Sequence, residues 1–317
     1  MDPSPAIRPF DQLIASGWTA DGLKRAVRSG QVQRLRRGVF RVAPVPTDRQ
    51  VGYRELVIAT ALEAGDPLVS HVSAAALYDL PLVDADLEWV HTTCARAAGG
   101  QRKRGVHRHV GHRPDDTQRI DGVRVTSPAR TLIDVARTGS WRTGVSALDE
   151  AVRTGLVERS ELVEELGACG RQHGLPRARV ALQLTDGRSE SPGESVSKVV
   201  LHAAGIALPV SQVEIFSRTG RFLGRSDFWF EGTATIGEFD GLAKYGQIPD
   251  GPDARTALIE EKLREDAIRD EGGILARWIW RDLYRADELT RRIRRAIDFG
   301  RRSVESGHST LTFRPVT

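Results

Sequence analysis

The sequence predicts a multi-domain α/β (α+β) protein, and three observations carry that prediction. The chain has 317 residues, more than one compact core normally holds. Residues 10–42 set two short amphipathic helices before a pair of alternating strands, the order of a winged helix-turn-helix. From residue 191 onward the pattern reads helix, three-stranded meander, helix, strand, helix, which layers helices on a sheet. The expected organisation is a winged helix-turn-helix over 1–45, a mixed α/β middle domain over 46–185 and a three-layer domain over 191–317.

In the first module, Phe10, Leu13 and Ile14 form an apolar stripe that stops at Gly17. Thr19 can cap a second helix whose Leu23, Ala26 and Val27 face inward, and Gly30 ends it. Gln31 to Leu35 and Val39 to Val42 alternate as strands around Arg36-Arg37-Gly38. Pro44 to Thr47 ends the module. Apolar helices follow near Tyr53 to Ala64 and Val72 to Leu80, with strands around Leu87 to Thr92 and Val106 to Val110. Ser127-Pro128 opens another helix with a capping serine and a proline in its first turn. Three further helices, Val145 to Thr154, Ser160 to Gly167 and Leu175 to Leu184, lead to a polar hinge, Thr185 to Gly193. Beyond it, Val213 to Ser217, Phe222 to Phe230 and Ala234 to Phe239 make the meander. A helix from Ala254 to Asp270, a strand from Ile274 to Trp280 and a helix from Asp287 to Phe299 complete the pattern.

Charge is informative through its distribution. Lys and Arg number 46 against 42 Asp and Glu, a net +4, too small a surplus to prove a nucleic-acid partner. Yet Lys24, Arg25, Arg28, Arg34, Arg36, Arg37 and Arg41 crowd the first module, with no acid between residues 22 and 47. Such a run also suits a solvated face. Its coincidence with a recognition helix and a wing tip favours double-stranded DNA, with Lys24 and Arg28, one helical turn apart, as base readers.

The second informative feature is acidic. In Gly224-Arg225-Ser226-Asp227-Phe228-Trp229-Phe230 and Gly237-Glu238-Phe239-Asp240-Gly241, strand alternation sends Glu238 and Asp240 from one face, where Asp227 on the preceding strand can join them. Carboxylates at close range repel unless a proton or a hard cation sits among them, which suggests a magnesium site. The other reading has these acids capping a hairpin turn and facing water. Glu194 could extend the metal set, although Ser191-Pro192-Gly193-Glu194 also fits a capping box. Lys244 and Lys262 are the candidate basic partners, which would orient water or stabilise charge at a phosphodiester. Trp278 and Trp280 alternate onto one strand face and read as core more readily than as a base-stacking surface.

His107, His109 and His112 invite a metal reading, but Arg102, Lys103, Arg104 and Arg108 stand beside them. A basic hairpin lying on phosphate or on an acidic partner is the preferred reading. Cys94 and Cys169 form no CxxC pair, which speaks against a zinc-cysteine site or a disulfide framework. Met1 to Phe10 has no apolar core region and no stretch approaches the length of a membrane span, so the expected location is the cytoplasm.

Two resemblances follow from these residues. Ala26-Val27-Arg28-Ser29-Gly30 through Leu35-Arg36-Arg37-Gly38-Val39-Phe40 resembles the winged helix of AbiEi-type antitoxins of type IV toxin-antitoxin systems. Ser70-His71-Val72-Ser73-Ala74-Ala75 and Val125-Thr126-Ser127-Pro128-Ala129-Arg130-Thr131-Leu132 resemble the remainder of those actinobacterial proteins. This implies a DNA-binding autorepressor paired with a nucleotidyltransferase-like toxin. The C-terminal part, through the acidic strands, Lys244-Tyr245-Gly246, Glu261-Lys262-Leu263-Arg264-Glu265-Asp266 and Arg277-Trp278-Ile279-Trp280, resembles the very-short-patch-repair-like branch of the PD-(D/E)xK nuclease fold. That implies a magnesium-dependent endonuclease with Asp227 and Glu238 at the metal positions. Asp240 stands where the general pattern has lysine, so the lysine role would pass to Lys244, to Lys262 or to no residue.

Overall fold

The structure is a computed structural model and describes residues 6–94, 99–111, 117–241 and 252–316. The chain divides into two compact units, Met1–Leu182 and Gln183–Thr317. Helices and sheets are mixed within both, as expected for the α+β class.

The first unit opens with a short strand β1 (Ile7–Pro9), then α1 (Phe10–Ala15) and α2 (Ala20–Arg28). Thr19 caps α2 as its position suggested, its hydroxyl accepting from the Gly22 amide at 3.0 Å. The hairpin of β2 (Gln33–Arg36) and β3 (Val39–Arg41) turns at Gly38, whose φ of 73° lies in the left-handed region. Leu13, Leu23, Ala26, Val32 and Phe40 form the core beneath the two helices. The winged-helix pattern is thus present, with an addition: β1 pairs with β3, making a sheet of order β1-β3-β2. Helix α3 (Arg49–Ala64) packs on that sheet.

After α3 come β4 (Leu68–Val69), α4 (His71–Leu77), β5 (Val90–Cys94), β6 (Gln101–Lys103), β7 (Val106–Val110), β8 (Thr117–Ile120) and β9 (Val123–Thr126). Among the described residues these strands form a sheet of order β6-β7-β5-β4-β9-β8, in which β5 runs parallel to β7. Helices α5 (Pro128–Thr138), α6 (Trp141–Arg153), α7 (Arg159–Ala168) and α8 (Leu175–Leu184) follow. Ser127 caps α5 and Pro128 opens it, as the sequence indicated. Asp134 on α5 is fully buried, accepting from Arg130 Nε at 2.8 Å and Arg137 Nε at 2.7 Å.

The second unit begins in the stretch read as a polar hinge. Within it, Asp186 accepts from the buried Lys198 ammonium and from the Ser211 hydroxyl, each at 2.7 Å. Lys198 lies on α9 (Pro192–Ala203) and Ser211 on β10 (Val210–Phe216). Next come β11 (Phe222–Phe230), β12 (Thr235–Asp240), α10 (Pro252–Asp270), β13 (Ile274–Ile279), α11 (Trp280–Leu283), α12 (Ala286–Glu305) and β14 (Thr312–Pro315). Their sheet has the order β13-β12-β11-β10-β14, with the predicted meander at its centre and β13 parallel to β12 through α10. Trp278 is buried, stacks on Phe228 at 5.6 Å between ring centres and donates to Ser197 Oγ at 2.7 Å. Gly237 permits this, since a Cβ there would meet the Trp278 ring at 2.6 Å. No helix among the described residues is long and apolar enough to cross a membrane.

Candidate functional site

The basic side chains of the first module divide into an exposed set and an anchored set. Lys24, Arg25 and Arg28 on α2 are exposed; Lys24 meets Asp21 at 3.2 Å in an ion pair so open to solvent that it holds little energy. Arg34 and Arg37 are exposed on the hairpin. These five residues form the available cationic surface. Arg36 and Arg41, expected at the same interface, are corrected by the packing of α3. Arg41 is only 3 % exposed, donates to Gln33 Oε1 at 2.6 Å and is ion-paired with Glu55. Arg36 donates to Thr60 Oγ1 at 2.8 Å and to the Arg104 carbonyl at 3.1 Å. Both are held by internal partners, and the sequence pattern missed this because alternation alone cannot show that α3 covers the sheet.

The acidic set converges as the strand spacing suggested. Register pairs Phe228 with Gly237, so Asp227 comes opposite Glu238 and both point from one sheet face. Together with Asp240, Glu261 and Arg277 they line a cavity of about 320 Å³. Burial, with Glu194 and Glu238 nearby, pushes the Asp227 carboxyl up to about 7, against the opposing bond from the Phe239 amide at 2.7 Å. Ser191 caps α9, its Oγ accepting from the Glu194 amide at 3.3 Å, and Glu194 Oε1 accepts from that hydroxyl at 2.7 Å. Its other oxygen accepts from the Glu190 amide at 2.9 Å and from Gln212 Nε2 at 2.8 Å. Burial nonetheless raises the Glu194 carboxyl above its usual range.

The basic partners of this cleft are arginines. Glu238 accepts from Arg264 at 2.6 Å through one oxygen and from Arg277 at 2.6 Å through the other, and Arg277 also pairs with Glu261 and Glu265. Lys262 is exposed on α10, and Lys244 lies outside the described residues. Asp240, at the exposed end of β12, lines the same cavity. Both Glu238 oxygens and both Glu194 oxygens are already engaged, and two guanidinium groups supply positive charge at Glu238. Arg264 and Arg277 were missed in the sequence. The i,i+3 pair Glu261–Arg264, 2.7 Å apart, was visible there, whereas Arg277 opposite Glu238 follows only from the parallel β12–β13 register.

A third cluster lies in the middle of the first unit. His91 on β5 and His107 on β7 are register partners, and His109 follows on the same face. His91 Nδ1 and His109 Nε2 are 2.9 Å apart, and the His71 ring stacks on His109 at 3.7 Å between centres. Burial pushes the His91 imidazole down to about 3 and the His109 imidazole down to about 2, with neighbouring His and Arg charges adding to the effect. These rings are therefore neutral at pH 7. His112 lies outside the described residues.

Comparison with known proteins bears on this same unit. Residues 73–184 match the family model of the AbiEi antitoxin C-terminal domain. The matched segment runs from α4 to the end of α8 and contains the histidine cluster and the Asp134 network. Two relatives, the uncharacterized proteins MT2308 and Rv2248 from two strains of Mycobacterium tuberculosis, are each 29% identical over 197 residues, spanning 62% of this chain and 69% of theirs.

Proposed function

We propose that this chain is a DNA-binding, antitoxin-like transcriptional regulator. The observation that carries the reading is the exposed cationic face of α2 and the hairpin, mounted on a wing that the Arg41–Glu55 pair ties to α3. Phosphate contacts by such side chains give affinity and orientation, and the α2 face supplies side chains to the major groove. The match of residues 73–184 to the AbiEi antitoxin C-terminal domain supports the antitoxin part, with a nucleotidyltransferase-like toxin as the proposed partner and the described surface of the first unit as its docking body.

The test is binding to duplex DNA from the upstream region of its own gene across a salt series. Arg25→Ala/Arg28→Ala is expected to weaken binding by about tenfold or more and to reduce the slope of log K against log salt by roughly 2. An unchanged affinity and slope in the double variant would remove the reading. Co-purification with the product of an adjacent gene tests the toxin partner.

A second reading, a magnesium-dependent endonuclease of defence or repair using Asp227, Glu238, Asp240, Lys244 and Lys262, is favoured by one observation: the Asp227 carboxyl raised to about 7 among other acids. The arginine clamp on Glu238 favours the first reading, which expects no nicking of plasmid by the purified protein in magnesium. Nicking that disappears in Asp227→Ala and Glu238→Ala would establish the second. The raised carboxyl has a consequence under either. Its folded pKa exceeds the ordinary 3.8, so the folded state takes up a proton as pH falls from about 7 toward 4, and stability from this group rises on acidification across that window. Asp227→Asn keeps an acceptor for the Phe239 amide and removes the charge. It is expected to stabilise the protein by about 1–2 kcal/mol at pH 8, after allowance for partial solvent exposure, and by almost nothing at pH 4. Urea unfolding at the two pH values checks this; equal effects at both would contradict it.

A further inference from the structure

We propose that His91, His107 and His109 form a zinc site on the β5–β7 face of the first unit. One ring nitrogen from each of the three residues lies within 4.8 Å of those of the other two. Tetrahedral zinc with imidazole ligands needs nitrogen atoms about 3.4 Å apart, and His91 Nδ1 and His109 Nε2 stand 2.9 Å apart. The strands hold the rings in place: β5 and β7 are hydrogen-bonded in parallel with His91 opposite His107 and Thr93 opposite His109, so two rings come from successive same-face positions of one strand and the third from its neighbour.

A second observation is independent of the spacing. Nδ1 of His107 is buried and has no hydrogen-bond partner among the described residues. A buried ring nitrogen is ordinarily satisfied, and a cation would satisfy this one. Arg102 on β6 is the register partner of His107. Arg102 stacks over the Trp89 ring at 5.7 Å, and its charge sets an upper limit on affinity for any cation.

The neighbouring residues fit a supporting role. His71 stacks on His109 but is committed elsewhere, Nδ1 to Ser70 Oγ at 2.9 Å and Nε2 toward Arg137 at 3.3 Å. It therefore braces the site without joining it. Three imidazoles leave one tetrahedral position for water or for a donor from a partner, and an all-nitrogen set suits zinc ahead of magnesium or calcium.

The experiment uses the full chain without a histidine tag, stripped with chelator, exposed to zinc chloride and desalted. About one equivalent of zinc is expected to remain, and cobalt chloride in its place is expected to give the intense visible bands of a tetrahedral site. His91→Gln and His107→Gln are each expected to lower metal affinity by roughly 10-fold or more, while His308→Gln, exposed and remote in sequence, leaves it unchanged. Circular dichroism establishes that the variants are folded, and a zinc-dependent rise in the unfolding midpoint of the unsubstituted protein gives a readout that needs no variant. Failure to retain zinc together with an unmoved midpoint overturns the proposal, as does retention that is equal in all three cluster and control proteins.

Discussion

Replacing Asp134 with alanine is expected to destabilise the first unit by about 3–5 kcal/mol, the cost of leaving buried cations without their counter-charge. Asp134 is fully buried and bridges Arg130 and Arg137, and Arg130 is itself 5 % exposed. The next acid, Glu165, stands 3.6 Å from Arg130 and is too distant to replace the short bond at Nε. Burial alone would raise the Asp134 carboxyl, but His71, Arg130 and Arg137 outweigh it and hold it down at about 2. A depressed folded pKa contributes stability that is complete above the ordinary value of 3.8 and is lost as pH falls from there to about 2. The difference between the native protein and Asp134→Ala should therefore shrink in that window. Urea midpoints at pH 7 and pH 3 measure it, and a variant with a native midpoint at pH 7 would show that the network is not structural.

Trp278→Ala should cost the second unit a similar amount, about 3–5 kcal/mol, through a cavity that the sheet cannot close. The ring is 1 % exposed, stacks on Phe228 and fills the space over Gly237. Trp278→Phe keeps most of that packing and loses the bond to Ser197, so a smaller loss of about 1–2 kcal/mol is expected. The same site bears on the acidic cleft, because Trp278 separates Arg277 from Ile279 on the strand that brings Arg277 to Glu238. If the alanine variant unfolds with an unchanged midpoint, the packing described for β12 and β13 is wrong.

What was legible in the sequence was local. Thr19, Ser127-Pro128 and Ser191 announce helix starts through chemistry that operates within three residues, and all three caps are present. The strand Phe222–Phe230 and the helix Leu175–Leu184 stand where hydrophobic pattern and turn residues put them. What depended on distant pairing was not legible. β1 is three residues long and ends in proline, so it carries no strand signal of its own and exists because β3 lies beside it. Arg41 looked like a DNA contact until Glu55, on a helix beyond the proline-containing stretch, turned it inward. The cleft acids were found by alternation, whereas their arginine partners required a parallel register across α10. His91 lay in a predicted strand, but its neighbour β7 in the sheet is set by a parallel pairing that no short window contains.

β14 covers the open side of β10 by pairing Thr312 to Pro315 against Phe216 to Val213. During synthesis the ribosome delivers β10 long before β14, so the backbone amides along that rim wait bare until almost the whole second unit has emerged. An uncapped rim invites pairing with another nascent chain. The order of synthesis thereby leaves this rim unpaired until the last strand of its sheet has emerged.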